Sequence, residues 1–177
     1  KVPAMTDTIV FLDHGSLAPG TVLRPPAFAH QWIDHDETKP GEVAARIKDA
    51  TIVVSNKIKV GAAEMDAAPG LKLIAVCATG TDIIDLAAAK ERGITVCNVR
   101  GYAEHSVPEH AFGLILTLRR QIIGYLADVK AGKWQQAGTF TFFTHELRDL
   151  YGKRLAVVGR GSLGQGVATI AKGFGME

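Results

Sequence analysis

The sequence predicts an α/β protein built on an open, doubly wound parallel sheet. Apolar runs alternate with helical patterns over the first 98 residues, which is typical of parallel βαβ units. The runs are nearly continuous rather than alternating, so we expect helices on both faces of the sheet. The strands are expected at residues 8–12, 51–55, 71–77 and 94–98, with a short edge strand at 31–34.

Helices are expected in the connections between these strands. Thr38 is expected to cap a helix that extends to about Lys48, since its hydroxyl could accept from the first turn. A short helix is expected over residues 61–67. Asp85 is expected to cap the alanine-rich helix 86–92 in the same way.

The segment after the sheet differs in character. Ser106 and Glu109 have the spacing of a capping box, which predicts a helix to about Ile123. This helix is apolar nearly all round, so we expect it to be buried between two bodies. Residues 125–149 have no clean periodicity, but their aromatic side chains indicate a partner surface.

A glycine motif lies near the C-terminal end, between an expected strand at 154–158 and an expected helix at 163–172. In a dinucleotide-binding turn, Gly159 would allow the bend, Gly161 would let a pyrophosphate approach, and Gly164 would let the helix pack closely. The helix start would then face the phosphates with its free N–H groups. A flexible glycine-rich loop is the alternative interpretation.

Three loops qualify as ligand-binding loops, because ligands of doubly wound sheets bind at the carboxyl ends of the strands. They are Asp13–Ser16, Asn56–Lys57 and Ala78–Thr81. Small residues around Gly80 would expose N–H groups suited to a carboxylate, although a plain turn explains them equally well. Lys57 could meet an anion there, or it could be an ordinary solvated lysine.

Composition and charge exclude several classes of protein. The net charge is +2 with both signs interspersed, which does not favour nucleic-acid binding. No apolar run reaches the ~18 residues that a membrane span needs, and residues 1–8 do not resemble a signal peptide. None of the six histidines has metal-ligand spacing, so no metal site is expected. Without a secretory context, Cys77 and Cys97 are expected to be reduced buried thiols rather than a disulfide, which predicts a cytoplasmic protein.

A series of motifs, taken in order, resembles the D-isomer-specific 2-hydroxyacid dehydrogenase family. The resemblance is strongest to its glycerate dehydrogenase, or hydroxypyruvate (glyoxylate) reductase, branch. The motifs are Thr79-Gly80-Thr81-Asp82-Ile83-Ile84-Asp85-Leu86, Lys90-Glu91-Arg92-Gly93-Ile94, Asn98, Gly101-Tyr102, Ser106-Val107-Pro108-Glu109-His110, Gly132-Lys133-Trp134, and Gly152-Lys153 leading to the glycine motif.

The resemblance implies two domains. Residues 1–98 would be a flavodoxin-like substrate domain that lacks its final helix. Residues 99–177 would supply an interdomain helix, a dimer arm and the beginning of a Rossmann NAD(P)-binding domain. A homodimer through residues 106–145 is implied as well.

The implied reaction interconverts a small 2-keto acid and its D-2-hydroxy acid, with NAD or NADP as cofactor. Asn56, Lys57, Ala78, Thr79 and Gly80 would bind the substrate. The cofactor would be bound by Val107, Gly159, Gly161, Ser162, Leu163 and Gly164. Phosphoglycerate, formate or phosphite dehydrogenase activity, a transcriptional corepressor and a non-catalytic dimerising fragment are the alternatives.

The family's catalytic arginine, glutamate and histidine are expected after residue 177, as is the residue that selects NAD or NADP. We therefore expect a polypeptide of these 177 residues alone to be inactive.

Overall fold

A computed structural model describes residues 6–177, which form two compact units, the first ending at Arg100 and the second beginning at Gly101. The first unit contains a five-stranded parallel sheet in the order β2-β1-β3-β4-β5. This is the flavodoxin-like strand order, so the predicted α/β fold is confirmed. The strands are β1 Asp7–Phe11, β2 His30–Asp34, β3 Ile52–Ser55, β4 Leu73–Val76 and β5 Thr95–Asn98.

Three short helices cover one face of this sheet: α1 Val43–Ile47, α2 Ala62–Asp66 and α3 Leu86–Glu91. Their buried side chains join alternate strand residues, among them Val10, Val53 and Ile74, in one hydrophobic core. Buried and half-buried residues alternate along β3 and β4. Residues 9–12, along β1 and just after it, show the expected continuous burial, whereas β3 and β4 are only half-buried on the face that these helices do not cover.

The two expected helix caps differ in outcome. Asp85 caps α3, since its carboxylate accepts a hydrogen bond from the Ala88 N–H at 2.9 Å. Thr38 does not cap α1, which is preceded by a 3₁₀ turn over Pro40–Glu42. The buried Thr38 hydroxyl donates to the Leu12 carbonyl at 2.5 Å instead. A long-range bond thus replaces the local one.

The second unit consists of α4 Ser106–Arg119, α5 Ile122–Lys130, α6 Lys133–Gln136 and α7 Ser162–Gly173. Its core joins α4 and α7 through Phe112, Leu150 and Ala171. The prediction of a single helix to Ile123 was wrong, because Gln121 adopts a left-handed conformation (φ 51°) and separates α4 from α5.

The cap expected at the start of α4 was also wrong. Ser106 is not a cap: the Val107 N–H already donates to the Ala103 carbonyl, so the helical turn begins earlier. Several apolar residues of α4, which were expected to be buried between two bodies, are exposed within this chain, Leu118 by 72%.

No strand forms at residues 154–158. The backbone of Leu155 bonds to Glu177 instead, and no neighbouring strand among residues 6–177 pairs with this segment. None of the described helices is both long and apolar enough to span a membrane.

Candidate functional site

The loops at the carboxyl edge of the first unit's sheet are linked by hydrogen bonds. The link between β1 and β3 depends on Asp13, which lies two residues after the end of β1 and is only 3% exposed. Its Oδ1 accepts from the Asn56 N–H at 2.9 Å, and its Oδ2 accepts from the Lys57 N–H at 2.7 Å. The Ser16 hydroxyl donates to the same carboxylate at 3.2 Å. Three donors thus compensate the burial of this charge.

The predicted substrate residues Asn56 and Lys57 differ in what they can offer a ligand. The Asn56 side-chain amide donates to the Ser16 hydroxyl oxygen at 2.9 Å, so it is already used within the protein. Lys57 is exposed, and its ammonium forms no ion pair or hydrogen bond within residues 6–177. Lys57 is therefore the residue of this loop that has a free donor.

The loop after β4 is held from the neighbouring strand β5. The Asn98 side-chain amide donates to the Thr79 carbonyl at 2.6 Å, and the Thr79 hydroxyl donates to the Val99 carbonyl at 2.9 Å. The Val99 N–H donates in turn to the Ala78 carbonyl at 3.0 Å. The carbonyls of Ala78 and Thr79 and the Thr79 hydroxyl all form hydrogen bonds, which fix the orientation of the peptide groups in this loop.

The N–H groups of Thr79 and Gly80 have no acceptor in the described part of the chain, and both residues are exposed. A Cβ at position 80 would lie 2.9 Å from Oδ1 of Asp82, so a larger residue there would require the Asp82 side chain to move. Two adjacent free N–H groups in a fixed loop can bind a small carboxylate.

A thiol lies immediately before this loop. Burial raises the pKa of Cys77, and the negative charge of Asp13 raises it further, followed by Cys97. The neutral thiol adds no charge at the loop.

The glycine turn of the second unit leads into α7. Gly159 has φ 101°, a conformation that favours glycine. A Cβ on Gly164 would lie 2.5 Å from the Gly159 carbonyl oxygen, whereas a Cβ on Gly161 would meet nothing within 4 Å. The turn is therefore tightly packed at Gly164 and open at Gly161.

The start of α7 has the features of an anion site. The first N–H groups of a helix lack internal acceptors, and they include those of Ser162 and Leu163. A cavity of about 620 Å³ borders the turn and is lined by Gly159, Arg160 and Gly164, among others. These residues fit a pyrophosphate group.

Val107 is exposed on the first turn of α4. A separate cavity of about 480 Å³ joins Ser162 to Pro108 and Glu109, and Val107 does not line it. The neighbours of Val107, rather than Val107 itself, thus lie beside the start of α7.

Two residues with roles at the sheet edge were not among the predicted binding residues. Asp13 was included only as the start of a loop, and Asn98 only as the end of a strand and as one of the residues that carry the family resemblance. Each is a polar residue at the carboxyl end of a β-strand, which is the signal that could have identified them. No cluster of potential metal ligands exists within residues 6–177.

A doubly wound sheet with an anion-receptive edge, followed by a glycine turn and helix, places the chain among α/β proteins that bind small ligands at strand ends. The model of the D-isomer specific 2-hydroxyacid dehydrogenase catalytic domain matches residues 24–164. The chain belongs to this family.

Individual relatives agree. The chain is 41% identical to a glycerate dehydrogenase from Methylorubrum extorquens over 174 residues, covering 98% of this chain and 55% of that protein. It is 34% identical to a hydroxypyruvate reductase from Blautia hydrogenotrophica over 173 residues, covering 96% and 54%. A solved 2-hydroxyacid dehydrogenase from Ketogulonicigenium vulgare Y25 superposes with a TM-score of 0.75 at 28% identity, covering 97% and 53%. The chain therefore spans about half the length of the curated relatives that it matches.

Proposed function

We propose that this chain serves an NAD(P)-dependent oxidoreductase that interconverts a small 2-keto acid, of the hydroxypyruvate or glyoxylate type, and its D-2-hydroxy acid. Residues up to about 98 form the substrate domain in this proposal, and residues from 99 begin the nucleotide domain. The observation that carries it is the pair of free N–H groups at Thr79 and Gly80, held in place from β5. The names of the relatives reported above supply the substrate class.

The substrate carboxylate binds at the sheet edge. Thr79 and Gly80 donate their N–H groups to it, and the exposed ammonium of Lys57 adds positive charge from the neighbouring loop. Ala78 fixes the loop through its carbonyl bond to Val99. Asn56 contributes to the shape of the adjoining turn, since its amide is bound to Ser16.

The nucleotide binds at the start of α7. Gly159, Gly161 and Gly164 shape the turn, and the N–H groups of Ser162 and Leu163 face the pyrophosphate. When bound, the nicotinamide cofactor supplies the hydride chemistry. Val107 is proposed to lie near the nicotinamide.

Proton donation and the arginine that polarises the keto acid are assigned to residues other than these 177. A polypeptide of residues 1–177 should therefore show no reduction of hydroxypyruvate with NADH or NADPH. Measurable turnover by a polypeptide of verified mass 18.9 kDa would overturn this assignment.

The function is tested by assaying the enzyme that contains this chain for NADH or NADPH oxidation with hydroxypyruvate and with glyoxylate. Oxidation of phosphite, formate or 3-phosphoglycerate with NAD or NADP in place of these reactions would favour one of the alternative activities. In the 177-residue polypeptide, NMR titration with NADH should move the amide signals of Ser162 and Leu163. Shifts confined to other residues would contradict the assigned nucleotide site.

We also propose a homodimer through residues 106–145. Exposed apolar side chains are concentrated there, including Leu118, Ile123, Phe140 and Phe143. Large exposed apolar patches mark association surfaces. An apolar groove of about 430 Å³ belongs to the same surface and is lined by Tyr125 of α5 and by phenylalanines of the segment after α6.

A further inference from the structure

The Asp13 carboxylate has no part in the function proposed so far, although it is a buried charge at the sheet edge. All its described hydrogen bonds are made with loop residues, at Ser16, Asn56 and Lys57. None is made with the core strands. Its burial therefore serves the conformation of the loops.

The bonds to Asp13 change which groups can meet a ligand. The N–H groups of Asn56 and Lys57 both donate to Asp13, so neither can donate to a substrate carboxylate. The Asn56 amide is bound to Ser16. The Lys57 ammonium is thus the remaining donor of this loop, whereas the loop after β4 keeps its backbone N–H groups free.

We propose that Asp13 is a positioning residue for substrate binding: it fixes the turn after β3 so that the Lys57 ammonium faces the carboxylate of the 2-keto acid. This inference rests on the proposed function. Asp13 does not touch the substrate, and it acts through Lys57. The two consecutive N–H bonds to one carboxylate hold both peptide groups of the turn, which a single bond would leave free to rotate.

Removing the Asp13 charge should weaken substrate binding without slowing hydride transfer. In Asp13→Asn, the side-chain NH₂ replaces one acceptor oxygen and faces an N–H donor, so the turn must shift. We expect the KM for hydroxypyruvate to rise about tenfold, as the loss of one charge-assisted hydrogen bond implies. The kcat and the KM for NADH should change by less than about twofold, because the reacting atoms and the nucleotide site are unaffected.

The decisive experiment is a double-mutant cycle in the enzyme that contains this chain. Lys57→Met removes the ammonium and should raise the KM for hydroxypyruvate by a similar factor. If Asp13 acts through Lys57, adding Asp13→Asn to Lys57→Met should raise the KM no further. Lys59→Met is the matched control, since Lys59 is an exposed lysine of the same segment, and it should leave the KM unchanged.

The other outcomes are distinct. If the KM increases of the two single variants multiply in the double variant, Asp13 supports the fold independently of Lys57, and the inference is overturned. An unchanged KM in Lys57→Met would also overturn it, even if Asp13→Asn fails to fold. A wild-type enzyme that reduces no 2-keto acid would refute the proposed function itself, and the inference with it.

Discussion

Gly166 on α7 lies so close to Pro108 on α4 that a Cβ at Gly166 would be 2.7 Å from Pro108 Cγ. The same Cβ would be 3.2 Å from the Glu104 carbonyl oxygen. A Cβ contact of 2.7 Å essentially never occurs in proteins, so the helices can approach this closely only with glycine at position 166. The packing of the two main helices of the second unit therefore depends on this residue.

Gly166→Ala should destabilise the second unit by about 1–3 kcal/mol, because the added methyl group must push α4 away. Gly113→Ala is the matched control: Gly113 lies within α4, and a Cβ there meets nothing within 4 Å. The control should be stabilising by about 0.5–1 kcal/mol, since alanine favours helix over glycine. The stability of both variants is measured by urea unfolding, and the local stability of α7 by hydrogen exchange of its amides. Equal effects of the two changes would contradict the close packing.

The buried Thr38 hydroxyl makes a second testable contact. Thr38→Val would leave the Leu12 carbonyl and an Arg46 guanidinium donor without their partner, at a cost of about 1–3 kcal/mol. Thr38→Ser retains the hydroxyl and should restore most of this stability. Thermal unfolding of the two variants and the wild type checks the prediction. A Val variant as stable as the Ser variant would show that the bond contributes nothing.

Thr38 and Asp85 illustrate how far sequence reasoning reaches. Both precede a helix and both are suitable caps, yet only Asp85 acts as one. The hydroxyl of Thr38 bonds to Leu12, which is 26 positions away in the sequence, and no local pattern reveals that competition. The strands were predictable because their apolar runs are local signals, whereas long-range bonds depend on the completed sheet.

The candidate site follows the same division. The rule for strand ends identified the loops at Asn56 and Gly80 from the sequence. It did not reveal that the Asn56 side-chain amide donates to the Ser16 hydroxyl, because this bond joins residues 40 positions apart. The strand expected at 154–158 does not form, for a related reason: an apolar run forms a strand only where a neighbouring strand supplies the hydrogen bonds.

Asp128 should make the second unit sensitive to acid. Its pKa lies below the ordinary value of 3.8, first because of the bond from Lys133 and then because of the Thr144 hydroxyl. The Lys133 ammonium is 2.6 Å from the carboxylate, and the His145 imidazole is 3.0 Å from it. A carboxyl whose folded pKa is lowered stabilises the fold above its unfolded pKa, and that stabilisation is lost as pH falls through the folded pKa.

Asp128→Asn removes this ionisation. The wild type should therefore be more stable than the variant at pH 7, and the difference should shrink as pH falls below about 3.8. Thermal unfolding of both proteins across this range measures the difference. Glu91→Gln, at an exposed carboxylate, is the control and should show little difference at either pH. A wild-type advantage that is constant down to pH 3 would refute the prediction.

The proposed homodimer leads to the last prediction. Leu118 and Ile123 are 72% and 70% exposed, on α4 and α5 respectively. A buried, unpaired carboxylate in an apolar interface carries a large desolvation cost, so Leu118→Glu and Ile123→Glu should each dissociate the dimer. Sedimentation velocity should then give the monomer mass of 18.9 kDa for the variants and twice that mass for the wild-type polypeptide.

Val22→Glu is the control, because Val22 is 84% exposed and lies outside residues 106–145. The Val22→Glu variant should remain dimeric, since a new charge outside the association surface is not buried when the dimer forms. A wild-type polypeptide that sediments at 18.9 kDa over the micromolar range would contradict the dimer. Dissociation by Val22→Glu, with Leu118→Glu still dimeric, would place the interface on the first unit instead.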